Sequence, residues 1–363
     1  MEIRIPRKEE NKKVIKFLSK VFHRPFPSLI PSLYGKEKNS MDYHYIVEDG
    51  GELVGGICAY PQEVHVNGVV FNGVAIGMVA TKKSKRGKGI MSTMLNHVFK
   101  EYENICEISY LTGRRHRYEH FGYYPTGVIY SYKISSMSIK KYNNGNPYSI
   151  EPAKTKEDYA SISELAMGAS QYNATPISTE GDTLRNWFSK AYVIRKDGKA
   201  VGFAGGKSFG SNVLERLYVK DGSWQDYVAC VSAYKEYKKV SNLTVEVLPS
   251  EKEFKEAMQR VCEDYSIVST VKYKVFDYQA LIYKLLQVGK NAGSLEDVET
   301  VIEIEGRTKL KISVRGEEIA VTPTEEAPKM TLSEQNAIAS LVGAEEGIVK
   351  GIGKFALRHS DFI

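Results

Sequence analysis

The sequence predicts an α/β (α+β) protein built on mixed sheets, and three observations carry that reading. An apolar run from Val74 to Val79 reads as a strand. A basic, glycine-containing loop, Lys82 to Gly89, follows it. Then Ile90, Met91, Met94, Leu95, Val98, Phe99 and Tyr102 recur at helical spacing. Hairpin patterns precede this strand–loop–helix unit and another apolar strand follows it, so helices and strands share one sheet.

The earlier elements lead up to that unit. Val14, Ile15, Phe17, Leu18, Val21 and Phe22 mark an amphipathic helix over residues 10–22. From His23 to Ser40, Pro25, Pro27 and Pro31 break any regular helix, and the segment is a candidate pocket wall or a plain connection. Tyr45-Ile46-Val47, an Asp49-Gly50-Gly51 turn and Leu53 to Ile57 form a first hairpin. Asn67-Gly68 turns a second one. Beyond the central helix, Ile105 to Leu111 reads as a buried strand, ending at Thr112-Gly113-Arg114, and Tyr118 to Tyr123 as a short helical turn.

Composition bounds the rest. The chain has 363 residues, enough for two to three domains, with 42% hydrophobic and 26% charged residues. A net charge of +6 and a pI near 8.8 favour anionic ligands without requiring nucleic acid. Cys58, Cys106, Cys230 and Cys262 lack CxxC spacing and a histidine cluster, so they read as buried free thiols and no metal is expected. The charged segment Met1–Lys13 has no signal-peptide core. No run approaches the roughly 18 apolar residues of a membrane span. A reduced, cytoplasmic protein without membrane association is expected.

A weak repeat extends the pattern. Tyr192-Val193-Ile194, a turn with Asp197-Gly198, and Val201-Gly202 echo Tyr45-Ile46-Val47, the Asp49-Gly50 turn and Val54-Gly55. In this second copy the strand Val213–Val219 precedes a helix, but the connection Lys220-Asp221-Gly222-Ser223-Trp224-Gln225 lacks the basic cradle. The copy is expected to be structural. Strand patterns at 298–304, 310–314 and 319–321 then give a small third α+β unit, with Gln287–Ser294 as its linker. Thr331-Leu332-Ser333-Glu334 reads as a capping box opening a helix that Gly343 stops. The apolar end, Phe355 to Ile363, is expected to dock.

Chemically, the central loop is a candidate phosphate or pyrophosphate cradle. Gly87 and Gly89 allow close backbone approach, the helix N-terminus offers unpaired N–H groups and partial positive charge, and Arg86 and Lys88 add full charges. The competing reading is a solvated basic turn.

Arg86-Gly87-Lys88-Gly89-Ile90-Met91 resembles motif A of the GCN5-related N-acetyltransferases (GNAT), R/Q-x-x-G-x-G/A. Met91 departs at the sixth position, as in the "enhanced intracellular survival" (Eis-like) subgroup. Tyr118-Glu119-His120-Phe121-Gly122-Tyr123 is similar to that subgroup's Tyr-x-x-Phe-Gly-Tyr segment. The resemblance implies three units: a catalytic GNAT domain (1–148), a degenerate GNAT-like domain (149–286) and a sterol-carrier-like α+β domain (287–363). It implies acetyl-CoA against Val79, Ala80 and Thr81, its pyrophosphate on Arg86, Gly87, Lys88, Gly89, Ile90, Met91 and Ser92, and Gly113 and Arg114 beside its pantetheine and acetyl group. Tyr118 would protonate the departing thiolate, and the terminal carboxylate of Ile363 would act as base or steer a cationic substrate. His97, His116 and His120 are alternative bases, His120 the best placed beside Tyr118. Homo-oligomers, hexameric rings among them, are also implied.

The acceptor expected is a primary amine of a polyamine or aminoglycoside-like molecule, or of a lysine; Asp361 and the Phe22–Pro31 segment are candidate acceptor walls. The rival readings are a module binding nucleic acid through Lys82–Lys88 and Arg114–Arg117, and a lipid carrier.

Overall fold

In the computed structural model, residues 2–140, 142, 146–207, 212–343 and 347–358 are described. After β1 (Ile3–Arg4), α1 (Asn11–Phe22) buries Val14 and Leu18 and ends at His23 in the left-handed conformation. The prolines then split the chain into α2 (Phe26–Leu29) and α3 (Pro31–Tyr34), because proline suits a first helical turn and cannot extend one. Next come β2 (His44–Asp49), β3 (Glu52–Val66) and β4 (Val69–Thr81). One long β3 serves both expected hairpins. The central helix is α4 (Ile90–Tyr102), followed by β5 (Ile108–Leu111), α5 (Arg115–Tyr118) and β6 (Tyr124–Pro125). The strand β5 starts later than its apolar run suggests, since Ile105 faces solvent at 63% exposure.

The middle of the chain forms β7 (Ile129–Ser135), α6 (Ser136–Lys140), β8 (Tyr148–Pro152), α7 (Lys156–Ala166), β9 (Gln171–Ala174) and α8 (Glu180–Thr183). It continues with β10 (Ser189–Lys196), β11 (Lys199–Lys207), β12 (Val213–Val219), α9 (Trp224–Lys238) and β13 (Asn242–Val247). Then follow α10 (Lys252–Val261), β14 (Asp264–Val268) and β15 (Lys272–Val275). The last part holds α11 (Tyr278–Asn291), β16 (Val298–Ile304), β17 (Thr308–Arg315), β18 (Glu318–Pro323), β19 (Met330–Leu332) and α12 (Glu334–Val342). Two sequence expectations change here. The expected linker is helical as far as Asn291, where α11 buries Leu281, Ile282, Leu285 and Leu286. And α12 is capped by Ser333, not Thr331, which lies in β19.

Three sheets result. The first runs β1-β2-β3-β4-β5-β15-β6, with β9 paired to β3. The second, read from β8, runs β8-β10-β11-β12-β13-β7-β14. The orders match strand for strand, and each sheet takes its sixth strand from the other half of the chain. Thus β7, which precedes residue 148, lies between β13 and β14, while β15 lies between β5 and β6. The duplicated hairpins share a further detail: register shifts fall between Val47 and Glu48 and between Ile194 and Arg195, two residues after Tyr45 and Tyr192. The third sheet is β18-β17-β16-β19.

One core joins α1–α3, one face of the first sheet, α11, the third sheet and the tail residues Phe355 and Leu357. The other face of the first sheet packs Ile57, Val74 and Ile76 against Leu95, Val98 and Phe99 of α4. The tail docks as expected as far as it is described. The Phe355 ring lies tilted with its centre 4.8 Å from that of Phe71, the Leu357 N–H donates to the Tyr273 hydroxyl at 3.0 Å, and Arg358 binds Glu251 at 2.7 Å. Among the described residues no helix is long and apolar enough to cross a membrane.

Candidate acyl-transfer site

Two strands that pair and then part create the site. The parallel ladder between β4 and β5 covers only Gly73–Ala75 against Ile108–Tyr110. Beyond Ala75, β4 runs on to Thr81 with no strand beside it on the β5 side among the described residues. A bulge bends it away: β3 pairs Cys58 with Gly77 and Gly56 with Ala80, and Met78 between them has φ 51°. The slot therefore exposes backbone N–H and C=O groups along Ile76–Thr81. Ala80 is buried, and Val79 and Thr81 are half-buried.

At the wide end the loop turns into α4. Gly89 is the residue before the helix, with φ 74° and ψ 1°, and no side chain caps the first turn. The N–H groups of Ile90, Met91 and Ser92 thus have no intrahelical acceptor. Gly87 also has positive φ, at 76°. Arg86 and Lys88 are exposed, and the Arg86 Nε donates to the Thr81 carbonyl at 3.4 Å. Lys85 and Lys82 are already engaged: Lys85 pairs with Asp49 at 2.6 Å and Lys82 pairs with Glu52, both acids flanking the first hairpin turn. With Lys82 and Lys85 so engaged, Lys83, Arg86 and Lys88 are the loop's exposed cations.

Gly113 and Arg114 stand exposed at the exit of β5, followed by the turn that carries Tyr118. The Tyr118 ring lies on the Gly113 backbone: a β-carbon at 113 would stand 2.6 Å from Tyr118 Cε2. The ring also meets Tyr123 edge-to-face, with ring centroids 6.2 Å apart and planes at 76°. Burial raises the Tyr118 phenol above its ordinary value of 10, and Arg117 opposes this. The hydroxyl stays protonated at neutral pH and makes no hydrogen bond among the described residues. Of the three histidines, His116 and His120 are exposed, and His97 packs edge-on to Tyr45 at 5.3 Å. Ile363 and Asp361 lie outside the described residues, which end at Arg358.

Sequence reasoning missed Ser109, Tyr123 and Lys274. Ser109 Oγ donates to the Val74 carbonyl at 3.0 Å and stands 2.6 Å from the Tyr123 hydroxyl. Lys274 Nζ donates to the Phe121 carbonyl at 2.9 Å and lies 5.1 Å from the Phe99 ring centre. Tyr123 closes the Phe-Gly-Tyr segment, which was its only sequence signal. Ser109 carried none.

The second unit has the same strands but not the same chemistry. Ser223 and Asp226 cap α9 reciprocally, each accepting from the other's backbone N–H, so that helix end is self-satisfied. Near it a cavity of about 470 Å³ is lined by Arg216, Tyr218, Tyr227, Glu251 and Arg358. Arg216 there is paired with Glu180. The expected loss of a phosphate cradle agrees with this closed cap. Among the described residues no cluster of metal-ligating side chains occurs.

Residues 2–126 match the family model described as an acetyltransferase (GNAT) domain. No curated protein sequence matches the chain. Solved structures share the fold. A GCN5-related N-acetyltransferase from Anabaena variabilis is 14% identical, with 92% of this chain and 88% of that one covered and a TM-score of 0.66. A conserved protein of unknown function from Enterococcus faecalis, a probable N-acyltransferase, is 15% identical over 92% and 88%, with a TM-score of 0.63. Eis1 from Mycobacterium abscessus is 14% identical over 95% and 90%, with a TM-score of 0.65. At these identities the structures speak for the fold alone, and the residues matched by the family model include the slot and loop just described. The N-terminal part of the chain is a GNAT domain, and the protein is an acetyl-CoA-dependent N-acetyltransferase.

Proposed function

We propose that the chain transfers acetyl from acetyl-CoA to a primary amine of a polyamine or aminoglycoside-like molecule, or of a lysine side chain, by direct attack. The observation that carries this is the uncapped N-terminus of α4 at Gly89, set against the parted strands β4 and β5. The residues fit the donor. Arg86, Lys88 and the N–H groups of Gly87, Gly89, Ile90, Met91 and Ser92 would hold its pyrophosphate. Val79, Ala80, Thr81, Gly113 and Arg114 would line its thioester arm.

The amine attacks the thioester carbonyl, and CoA thiolate leaves as the tetrahedral adduct collapses. Tyr118 gives its phenolic proton to that sulfur. A partly buried phenol with a raised pKa is protonated before the step, and the thiolate is the base that receives its proton. The terminal carboxylate of Ile363 holds the cationic acceptor or relays its proton. This part of the reading rests on the resemblance and on the docking of the tail through Phe355, Leu357 and Arg358.

The same proposal takes the chain as Eis-like, with catalytic, degenerate and sterol-carrier-like units. It includes a cytoplasmic location and self-association into oligomers. Similarity to Eis1 over 95% of this chain supports the layout. A panel of polyamines, aminoglycosides and lysine peptides, assayed with acetyl-CoA by CoA release, tests the reaction. Turnover with at least one class is expected. Acetyl-CoA binding without transfer to any amine would overturn it.

A further inference from the structure

Within the three-residue ladder that joins β4 and β5, just before they part, a buried hydrogen-bonded chain crosses between them. The Val74 carbonyl on β4 accepts from Ser109 Oγ on β5 at 3.0 Å. Since that carbonyl can only accept, the serine proton is committed to it, and the Tyr123 hydroxyl at 2.6 Å donates to Ser109. Tyr123 and Ser109 are fully buried, as is Val74. Every proton in the chain therefore has one place, and the Tyr123 ring cannot turn without leaving a buried hydroxyl unpaired.

That ring forms one side of the seat of Tyr118. It meets Tyr118 edge-to-face, and Phe99 of α4 lies 6.0 Å away. The Gly113 backbone also lies against the Tyr118 ring. The Tyr123 N–H also donates to the Tyr118 carbonyl at 3.2 Å, fixing the turn between the two rings. One element thus holds the paired root of the donor slot, through Val74 and Ser109, and sets the aim of the phenol.

We propose that Tyr123 is the positioning residue of the acyl transfer, tying the orientation of Tyr118 to the paired root of the β4–β5 slot through Ser109. The inference rests on Tyr118 as the proton donor. Packing alone would ask only for the Tyr123 ring. The positioning role asks for its hydroxyl, and a phenylalanine separates the two.

The test is a double-mutant cycle with steady-state kinetics. Tyr123→Phe is expected to lower kcat about tenfold with the KM for acetyl-CoA nearly unchanged, because aim is lost and donor binding is not. Water admitted around the phenol would reverse part of its burial, so the alkaline limb of kcat should move to lower pH. Ser109→Ala breaks the same chain without touching an aromatic ring and should reproduce both effects, which keeps the test open if one variant folds poorly. In a Tyr118→Phe background, Tyr123→Phe should cost nothing further. An equal loss in both backgrounds, or an unmoved alkaline limb, would overturn the positioning role while leaving Tyr118 as the acid. Wild-type turnover in Tyr118→Phe alone would remove the acid itself, and the positioning role with it.

Discussion

The ring of Tyr118 rests on the backbone of Gly113 so closely that a single added methyl would collide, its carbon 2.6 Å from Cε2. Glycine is required here by contact with the tyrosine ring. Gly113→Ala should swing the phenol off its aim while leaving the sheet intact. A fall in kcat on the order of 100-fold is expected, since misplacing a reacting group by about 1 Å costs that much. Steady-state kinetics beside a thermal melt check it: an unchanged melt with reduced kcat is the expected pair.

Gly89 has the opposite kind of need. Nothing lies within 4 Å of a β-carbon there, but its φ is 74°. Gly89→Ala should cost about 1–2 kcal/mol of backbone strain, and the chain can relieve it by re-forming the first turn of α4. Acetyl-CoA affinity is then expected to weaken about tenfold, the equivalent of 1.4 kcal/mol. Calorimetric titration measures it, and unaltered affinity would show that the N–H groups of Ile90–Ser92 do not bind the pyrophosphate.

A buried histidine sets the acid limit of stability. His44 has no exposure; its Nδ1 donates to the Ser40 carbonyl at 2.8 Å, so its Nε2 accepts from the Tyr34 hydroxyl, also at 2.8 Å. Burial lowers its pKa from 6.5 to about 4. Between those values the unfolded chain takes up a proton that the folded chain refuses, so stability falls as pH falls, by up to about 1.4 kcal/mol per unit. The Glu10 carboxylate, drawn down to about 2 chiefly by Arg4, adds its own loss only below its ordinary 4.5. Melting temperature should therefore be level above pH 6.5 and begin to drop before the carboxylate range is reached. His44→Gln should flatten the slope between pH 6.5 and 4.5.

The tail is part of the core. Phe355 is fully buried between Phe71 and Tyr273. Phe355→Ala should destabilise the fold by about 3–5 kcal/mol, read as a shift in denaturant midpoint. A change under 1 kcal/mol would mean that the tail docks without contributing to stability.

The strand–loop–helix unit around Gly89 was legible because three independent signals coincide: an apolar strand, glycines among cations, and helical spacing from Ile90 to Tyr102. The duplicated hairpin was legible from Tyr45 and Tyr192, and the matching register shifts at Val47 and Ile194 add a mark the sequence does not spell out. The partners of β7 and β15 were not legible. A short strand such as Lys272–Val275 pairs through its backbone, and its side chains do not say which sheet it joins. Thr331, with Glu334 three residues on, fits the capping-box pattern better than Ser333, which precedes Asn336, and only the pairing of β19 with β16 shows that Ser333 is the cap. Ile105 belongs to an apolar run but faces water, because the turn after α4 ends before the strand begins.

The exchange of β7 and β15 has a consequence for how the molecule is made and kept. During synthesis, the edge of β5 away from the donor slot waits unpaired until Lys272–Val275 leaves the ribosome, while β7 waits for β13. Neither half can finish alone, so the catalytic half gains its last strand only after the other half has been translated. Deleting the half without a phosphate cradle would remove a strand from the half that has one. The half whose helix end is closed by Ser223 and Asp226 thereby lends a structural strand to the half with the open loop.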